Sequence, residues 1–147
     1  MFAEELTVEL CDLVEGSQHR LRNSADRDLE QVNSRSICLG RLDRIEQVLI
    51  NLLTNARYAT AQQGNRQVHL QAQLKQGQVL LTVTDEGGGV PEHIREKLFD
   101  PFFTTKGSEG TGLGLSISTR IVHEHGGRLE IENVGPGARF TVFLRSV

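Results

Sequence analysis

The sequence contains no tryptophan, one tyrosine, one methionine and only three prolines. Its two cysteines, Cys11 and Cys38, stand 27 positions apart with no C-x-x-C pair, so they make neither a disulfide framework nor a zinc site. Two part-buried thiols in a reducing cytosol is the reading that fits. Strong charge is missing too. A net charge of −3 leaves no basic footprint for nucleic acid. No apolar run approaches the roughly 18 residues needed to span a bilayer. Acidic Glu4 and Glu5 stand where a signal peptide needs a basic region. These absences predict a cytoplasmic domain with no nucleic-acid partner and no direct membrane contact. The pair His123 and His125 lacks a third ligand nearby, and it closes a helical pattern, which favours solvation of helix-end carbonyls over metal binding.

What remains is an ordinary globular composition, 37% hydrophobic and 24% charged over 147 residues, the size of one domain, residues 1–147. Glycine is the exception. Seven of the 15 glycines fall between Gly87 and Gly114, and that clustering marks where function lies. Leu6, Leu10, Leu13, Val14 and Leu21 suggest a helix from Leu6 to about Ala25. Short strands are expected over 28–34 and 37–39. The strongest helix runs from Leu42 to about Ala61, with Leu42, Ile45, Leu49, Leu52, Ala56 and Ala59 in unbroken steps of three and four, and Gly64-Asn65 stopping it. Val68 to Leu74 and Val79 to Val83 alternate as two strands joined by Gln76-Gly77-Gln78. A short helix over Pro91 to Leu98 and a longer one from Leu113 to the pair Gly126-Gly127 follow. Leu129/Ile131 and Phe140/Val142/Leu144 mark a last hairpin turning at Gly135-Pro136-Gly137. This order predicts an α+β fold with about three helices packed on one face of a mixed, mostly antiparallel sheet.

Three segments carry chemistry. On the long helix, Asn51, Asn55 and Tyr58 share one flank beside the core stripe, whereas Glu46 lies on the opposite flank. Asparagine is a poor helix former, so the pair has either an interhelical hydrogen bond or a role as neutral oxygen ligands for a hard cation such as magnesium. At the end of the second hairpin strand, Asp85-Glu86-Gly87-Gly88-Gly89 exposes a carboxylate and bare backbone together, too much glycine for a plain turn. Finally, Gly110-Thr111-Gly112-Leu113-Gly114 opens a helix whose free N–H groups form a phosphate seat. It is not a Rossmann turn, since Leu115 stands at the sixth position, nor a Walker loop, since Lys106 precedes the glycines. Phe99, Phe102 and Phe103 beside this tract are either core or the hinges of a loop that closes over a ligand.

In this order the segments resemble the catalytic ATP-binding domain of sensor histidine kinases, within the wider family of gyrase, Hsp90 and MutL. "EQVLINLLTNARYAT" is similar to the N box, "DEGGGV" to the first glycine box, "LFDPFFTTK" to the F box and "GTGLGL" to the second glycine box. The resemblance covers Leu6 to Leu144, and the tract "PFFTTKGSEGTGLGL" resembles kinases of the nitrogen-regulatory type with short lids. It implies a two-layer α/β sandwich in which Asn55 ligates magnesium, with Asn51 in support, and Tyr58 lies in the same site. Asp85 accepts from the adenine amino group, and Gly87 and Gly89 let the base approach. Phe103, Thr104, Thr105 and Lys106 belong to a lid running from Phe102 to Gly112, with Lys106 near the terminal phosphates. Gly110, Thr111, Gly112, Leu113, Gly114 and Leu115 seat the phosphates.

The function so implied is transfer of the γ-phosphoryl group of Mg-ATP to a histidine on a separate dimerisation and phosphoacceptor domain, with a response regulator downstream. Two departures qualify the match. Tyr58 stands where many family members have lysine or aspartate. No histidine has the H-E/D-x-x-x-P setting of a phosphoacceptor helix, since His19 in "SQHRLRN" lacks both acid and proline. The chain therefore resembles the catalytic half of a longer, inner-membrane or soluble kinase, acting on a helical domain of the same protein or in trans, with no catalytic side chain assigned within it. Two rival functions stand beside this one: a nucleotide-gated binding module, and an ATPase or serine kinase of the wider family.

Overall fold

The computed structural model describes residues 5–10, 42–64 and 67–145. Its elements are β1 (Glu5–Leu10), α1 (Leu42–Gln62), β2 (Val68–Lys75), β3 (Gln78–Asp85), a one-turn helix α2 (Glu92–Arg95), α3 (Gly114–Glu124), β4 (Arg128–Val134) and β5 (Gly137–Arg145). Two 3₁₀ turns, Lys97–Phe99 and Gly107–Glu109, lie between α2 and α3. The strands form one sheet in the order β1-β2-β3-β5-β4, and every described pairing is antiparallel. The expected helix from Leu6 is overturned where it is described, because Leu6 stands opposite Ala72 and Leu10 opposite Val68 as strand partners. Leu6 and Leu10 fit a step of four as well as a period of two, and pairing with the open edge of β2 decides for the strand. Residues 11–25, the strands expected over 28–34 and 37–39, and both cysteines lie outside the described residues.

The register aligns one apolar row across the inner face. Leu70, Val83, Phe140 and Ile131 stand side by side, as do Ala72, Leu81, Val142 and Leu129. Onto this face α1 lays Ile45, Val48, Leu52 and Ala56, and α3 lays Ile121 and Val122. Val48, Leu52, Val83, Val122 and Val142 are fully buried, each contributing about 1.5–3 kcal/mol through the surface it removes from water. The buried line on α1 runs through Val48 rather than Leu49, which is only half-buried. That places Asn51 and Asn55 at the edge of the core, toward α3.

Turn chemistry sets the edges. Gln76 and Gly77 both have positive φ (52° and 73°), the two-residue hairpin turn whose twist suits antiparallel strands. At the end of α3, Gly126 N–H donates to His123 O and Gly127 N–H to Val122 O, a Schellman cap. His125 adds to it, with Nδ1–H donating to Ile121 O at 2.7 Å. For His125 this is the helix-end role expected of the histidine pair.

Candidate nucleotide-binding site

β3, the C-terminal half of α1, the N-terminus of α3 and the segment between α2 and α3 enclose a cavity of about 390 Å³, within the range of small-molecule sites. Asn51, Asn55, Tyr58, Asp85, Gly89, Phe103 to Lys106, Gly110 to Gly112, Gly114 and Leu115 line it, whereas Gly87 and Leu113 do not. Thr54, Ala59, Val90, Leu98, Ala138 and Phe140 complete the wall.

One end is built on the sheet. Asp85 is the last residue of β3 and only 4% exposed. Its Oδ1 accepts from Gly87 N–H (2.9 Å) and Ala138 N–H (3.3 Å), so Oδ2 is the oxygen left toward the cavity. Burial pushes this carboxyl above its ordinary range, and the two N–H donors pull it partly back. A carboxylate held so, with one oxygen spent on the fold and one presented, suits a ligand that offers an N–H donor. Gly137 makes the arrangement possible, because a Cβ there would lie 1.7 Å from Asp85 O.

The glycine loop after Asp85 is clasped by the β4–β5 hairpin. Gly88 N–H donates to Pro136 O (2.7 Å). Asn133 makes two bonds to one residue: its Oδ1 accepts from Val90 N–H (2.9 Å), and its Nδ2 donates to Val90 O (2.8 Å). Nothing in the sequence pointed to Asn133. An asparagine two residues before a Gly-containing turn carries no signal until the fold sets it against Val90. Gly87, expected to admit a base, packs against α1, where a Cβ would lie 2.5 Å from Ala59 Cβ. Gly89, at φ 75°, does line the cavity.

At the other end the two asparagines divide the roles that the sequence left open. Asn51 Nδ2 donates to Gly114 O (3.2 Å) and to Ser118 Oγ (3.1 Å), the interhelical bond that fastens α1 to α3. Asn55 Oδ1 accepts from the ammonium of Lys106 at 2.7 Å. That ammonium lies 4.9 Å from the centre of the Tyr58 ring, and burial lowers its pKa from the ordinary lysine value. Asn55 thus holds a positive charge on a neutral amide oxygen, a donor type that a hard cation also accepts. α3 opens with Leu113 as its N-cap, no side-chain cap and no acid in its first turn. Its unpaired N–H groups and positive dipole end are therefore offered to an anion. Leu113 itself stays out of the wall, its N–H bonded to Thr111 Oγ1 (3.3 Å).

The segment over this end is pinched at its base. Phe102 N–H donates to Gly112 O (2.7 Å). Gly112 packs so closely that a Cβ would lie 2.3 Å from the Phe102 carbonyl carbon. Phe102 is 76% exposed with φ 69°, a strained setting for an aromatic residue, whereas Phe103 faces the cavity. The three phenylalanines thus separate: Phe99 and Phe103 are half-buried, and Phe102 is exposed.

A buried acceptor at one end and a cation seat beside an open helix N-terminus at the other define a nucleotide-binding domain. Residues 40–147 match the family model described as histidine kinase-, DNA gyrase B- and HSP90-like ATPase, and the chain belongs to that family. Within it, the chain is an ATP-binding catalytic domain of the sensor histidine kinase type. Sensor histidine kinase ZraS of Salmonella typhimurium is 36% identical over 144 residues, 94% of this chain and 30% of its own length. C4-dicarboxylate transport sensor protein DctB of Rhizobium meliloti is 43% identical over 107 residues, 73% of this chain and 17% of its own. The nucleotide-free catalytic domain of histidine kinase ThkA superposes with a TM-score of 0.63 at 38% identity, covering 72% of this chain and 68% of that one. Full-length ShkA in complex with AMPPNP gives 0.61 at 33% identity, covering 71% of this chain and 22% of that one. The chain therefore spans less than a third of the curated relatives it matches. Among the described residues no helix is long and apolar enough to cross a membrane.

Proposed function

We propose that this domain binds Mg-ATP and transfers its γ-phosphoryl group to a histidine on a separate dimerisation and phosphoacceptor domain, feeding a response regulator in two-component signalling. The observation that carries the reading is the polarity of a single cavity. Asp85 Oδ2 suits the exocyclic amine of adenine, and Asn55, Lys106 and the α3 N-terminus suit a metal-bound triphosphate. Gly89, Phe103, Thr104, Thr105, Gly110, Thr111, Gly112, Gly114 and Leu115 would line the bound nucleotide between them. Magnesium, when bound, neutralises phosphate charge in such reactions. The chain's own part is to hold and orient. Asp85 fixes the base, α3 cradles the phosphates, and the lid excludes water. The cytoplasm supplies the ATP, whether or not the parent kinase is anchored in a membrane.

Water activation is what the site lacks. In the ATPase branch of the family a glutamate stands four residues before the metal asparagine; here that position is Asn51, whose amide is no base and is committed to Gly114 and Ser118. Glu46 is exposed on the far flank of α1. The absence of a general base costs about 10²–10⁴ in rate, which favours phosphotransfer over hydrolysis. Calorimetry with ADP, then radiolabelled ATP with a separately expressed phosphoacceptor domain of a matching sensor kinase, tests the proposal. Label on the partner's histidine supports it. Phosphate release at the typical enzyme rate of ~10 s⁻¹ makes the protein an ATPase instead.

A further inference from the structure

Lys106 is a lid residue whose ammonium reaches across the cavity to α1. Its own backbone is organised locally, with Lys106 N–H on Thr104 Oγ1 (3.0 Å) and Gly110 folded so closely against it that a Cβ there would lie 2.9 Å from Lys106 Cβ and 2.2 Å from Thr104 Oγ1. The stem is thus braced before the charge is placed. On α1 the ammonium meets two groups one helical turn apart, the Asn55 carbonyl oxygen and the Tyr58 ring face. A lysine at position 58 would repel it; an aromatic ring attracts it.

We propose that Lys106 is an internal substitute for the divalent cation: it straps the lid to α1 in the nucleotide-free domain, and Tyr58 is the positioning residue that sets the strap's strength. Binding of a magnesium nucleotide is then an exchange on Asn55 Oδ1. The metal takes the oxygen, and Lys106 is released toward the phosphates. The exchange rests on the function proposed above, whereas the strap does not. A nucleotide without metal leaves the strap closed, so metal and lid movement are one event.

The strap is tested on the nucleotide-free 147-residue chain in EDTA, by amide exchange of the segment 102–111. A cation–π contact at a part-exposed site corresponds to about a two- to fivefold change. Tyr58→Leu is expected to exchange that much faster, with Tyr58→Phe at the wild-type rate because the ring is kept. Wild-type exchange in Tyr58→Leu, or Tyr58→Phe as fast as Tyr58→Leu, overturns the strap. Should Tyr58→Leu not fold, the wild-type chain still reports, since its one tyrosine gives one set of ring NMR signals. Those signals are expected to move further with Mg-ADP than with ADP in EDTA, and the difference is expected to vanish in Lys106→Met. Equal shifts with and without magnesium overturn the exchange. ADP that binds in neither condition refutes the nucleotide reading, and the strap is then judged on the exchange rates of 102–111.

Discussion

The two ends of the cavity are held by different means. At the sheet end, Asp85 is fixed by Gly87 and Ala138, Gly88 by Pro136, and Val90 by both polar atoms of Asn133. Most of these bonds involve backbone anchored in a five-stranded sheet. At the lid end, the bonds around Lys106 are local, and the ties to the body are the Phe102–Gly112 pinch and one ammonium on Asn55. Local opening costs least where few apolar contacts and few long-range bonds must break. The difference teaches a division of labour. The end that would read the base is rigid before a ligand arrives, and the end that would handle the phosphates is left able to rearrange.

Asp85→Asn is the largest expected effect, because it strikes the rigid end without loosening it. The amide oxygen still accepts from Gly87 and Ala138, while Nδ2 now offers a donor where a donor is needed from the ligand. Losing a charge-assisted bond of about 1.5–3 kcal/mol lowers ADP affinity by roughly ten- to a hundredfold, read by calorimetry. Burial already disfavours the charged carboxyl, so the melting temperature is expected to hold or rise. A large drop in melting temperature would mean that the charge holds the fold together.

The lid's base is next. Gly112→Ala adds a Cβ 2.3 Å from the Phe102 carbonyl carbon at φ 70°, whereas Gly107→Ala, at φ 59°, meets nothing within 4 Å. Backbone strain alone costs about 1–2 kcal/mol at either site, and overpacking adds about 1–3 kcal/mol at Gly112 only. Urea melts of the two variants separate the terms. Equal losses would rule out the Phe102–Gly112 pinch.

Asn133→Ala tests the clasp. It deletes two bonds to Val90, worth about 0.5–1.5 kcal/mol each. ADP affinity is expected to fall several-fold, while exchange of lid segment 102–111 stays as in the wild type. A lid that loosens in this variant would join the two ends into one unit.

Acidity reaches the Asp85 charge again, this time reversibly. The raised Asp85 carboxyl becomes protonated at a higher pH than an ordinary aspartate of about 3.9. ADP affinity, present while Asp85 is ionised, is therefore lost as pH falls through that raised value and regained above it. Titrations at stepwise lower pH check this, and Asp85→Asn is expected to abolish the step.

Much of this was legible because it depends on short stretches of chain. The period of α1, the turns at Gln76-Gly77 and Gly135-Pro136, the Gly126-Gly127 cap and the glycine tracts each follow from backbone preferences within a few residues. The chemical character of the site was legible too, since an aspartate before three glycines and two asparagines on one helix flank state their types directly. Other features required the sheet order. Leu6 and Leu10 fit a helical step and a strand alternation alike, and pairing with β2 made the segment a strand. Asn51 and Asn55 are alike in type and flank, and the approach of α3 made one a helix fastener and left the other to the Lys106 ammonium. Gly87 yields to α1 and Gly89 to the cavity because Ala59 packs on one and not the other. Asn133 on Val90, Ala138 on Asp85 and Lys106 on Asn55 join residues 43 to 53 positions apart. Local rules act over a turn or a hairpin. Which distant side chains meet is decided by the burial of one shared core, and that is a property of the folded chain.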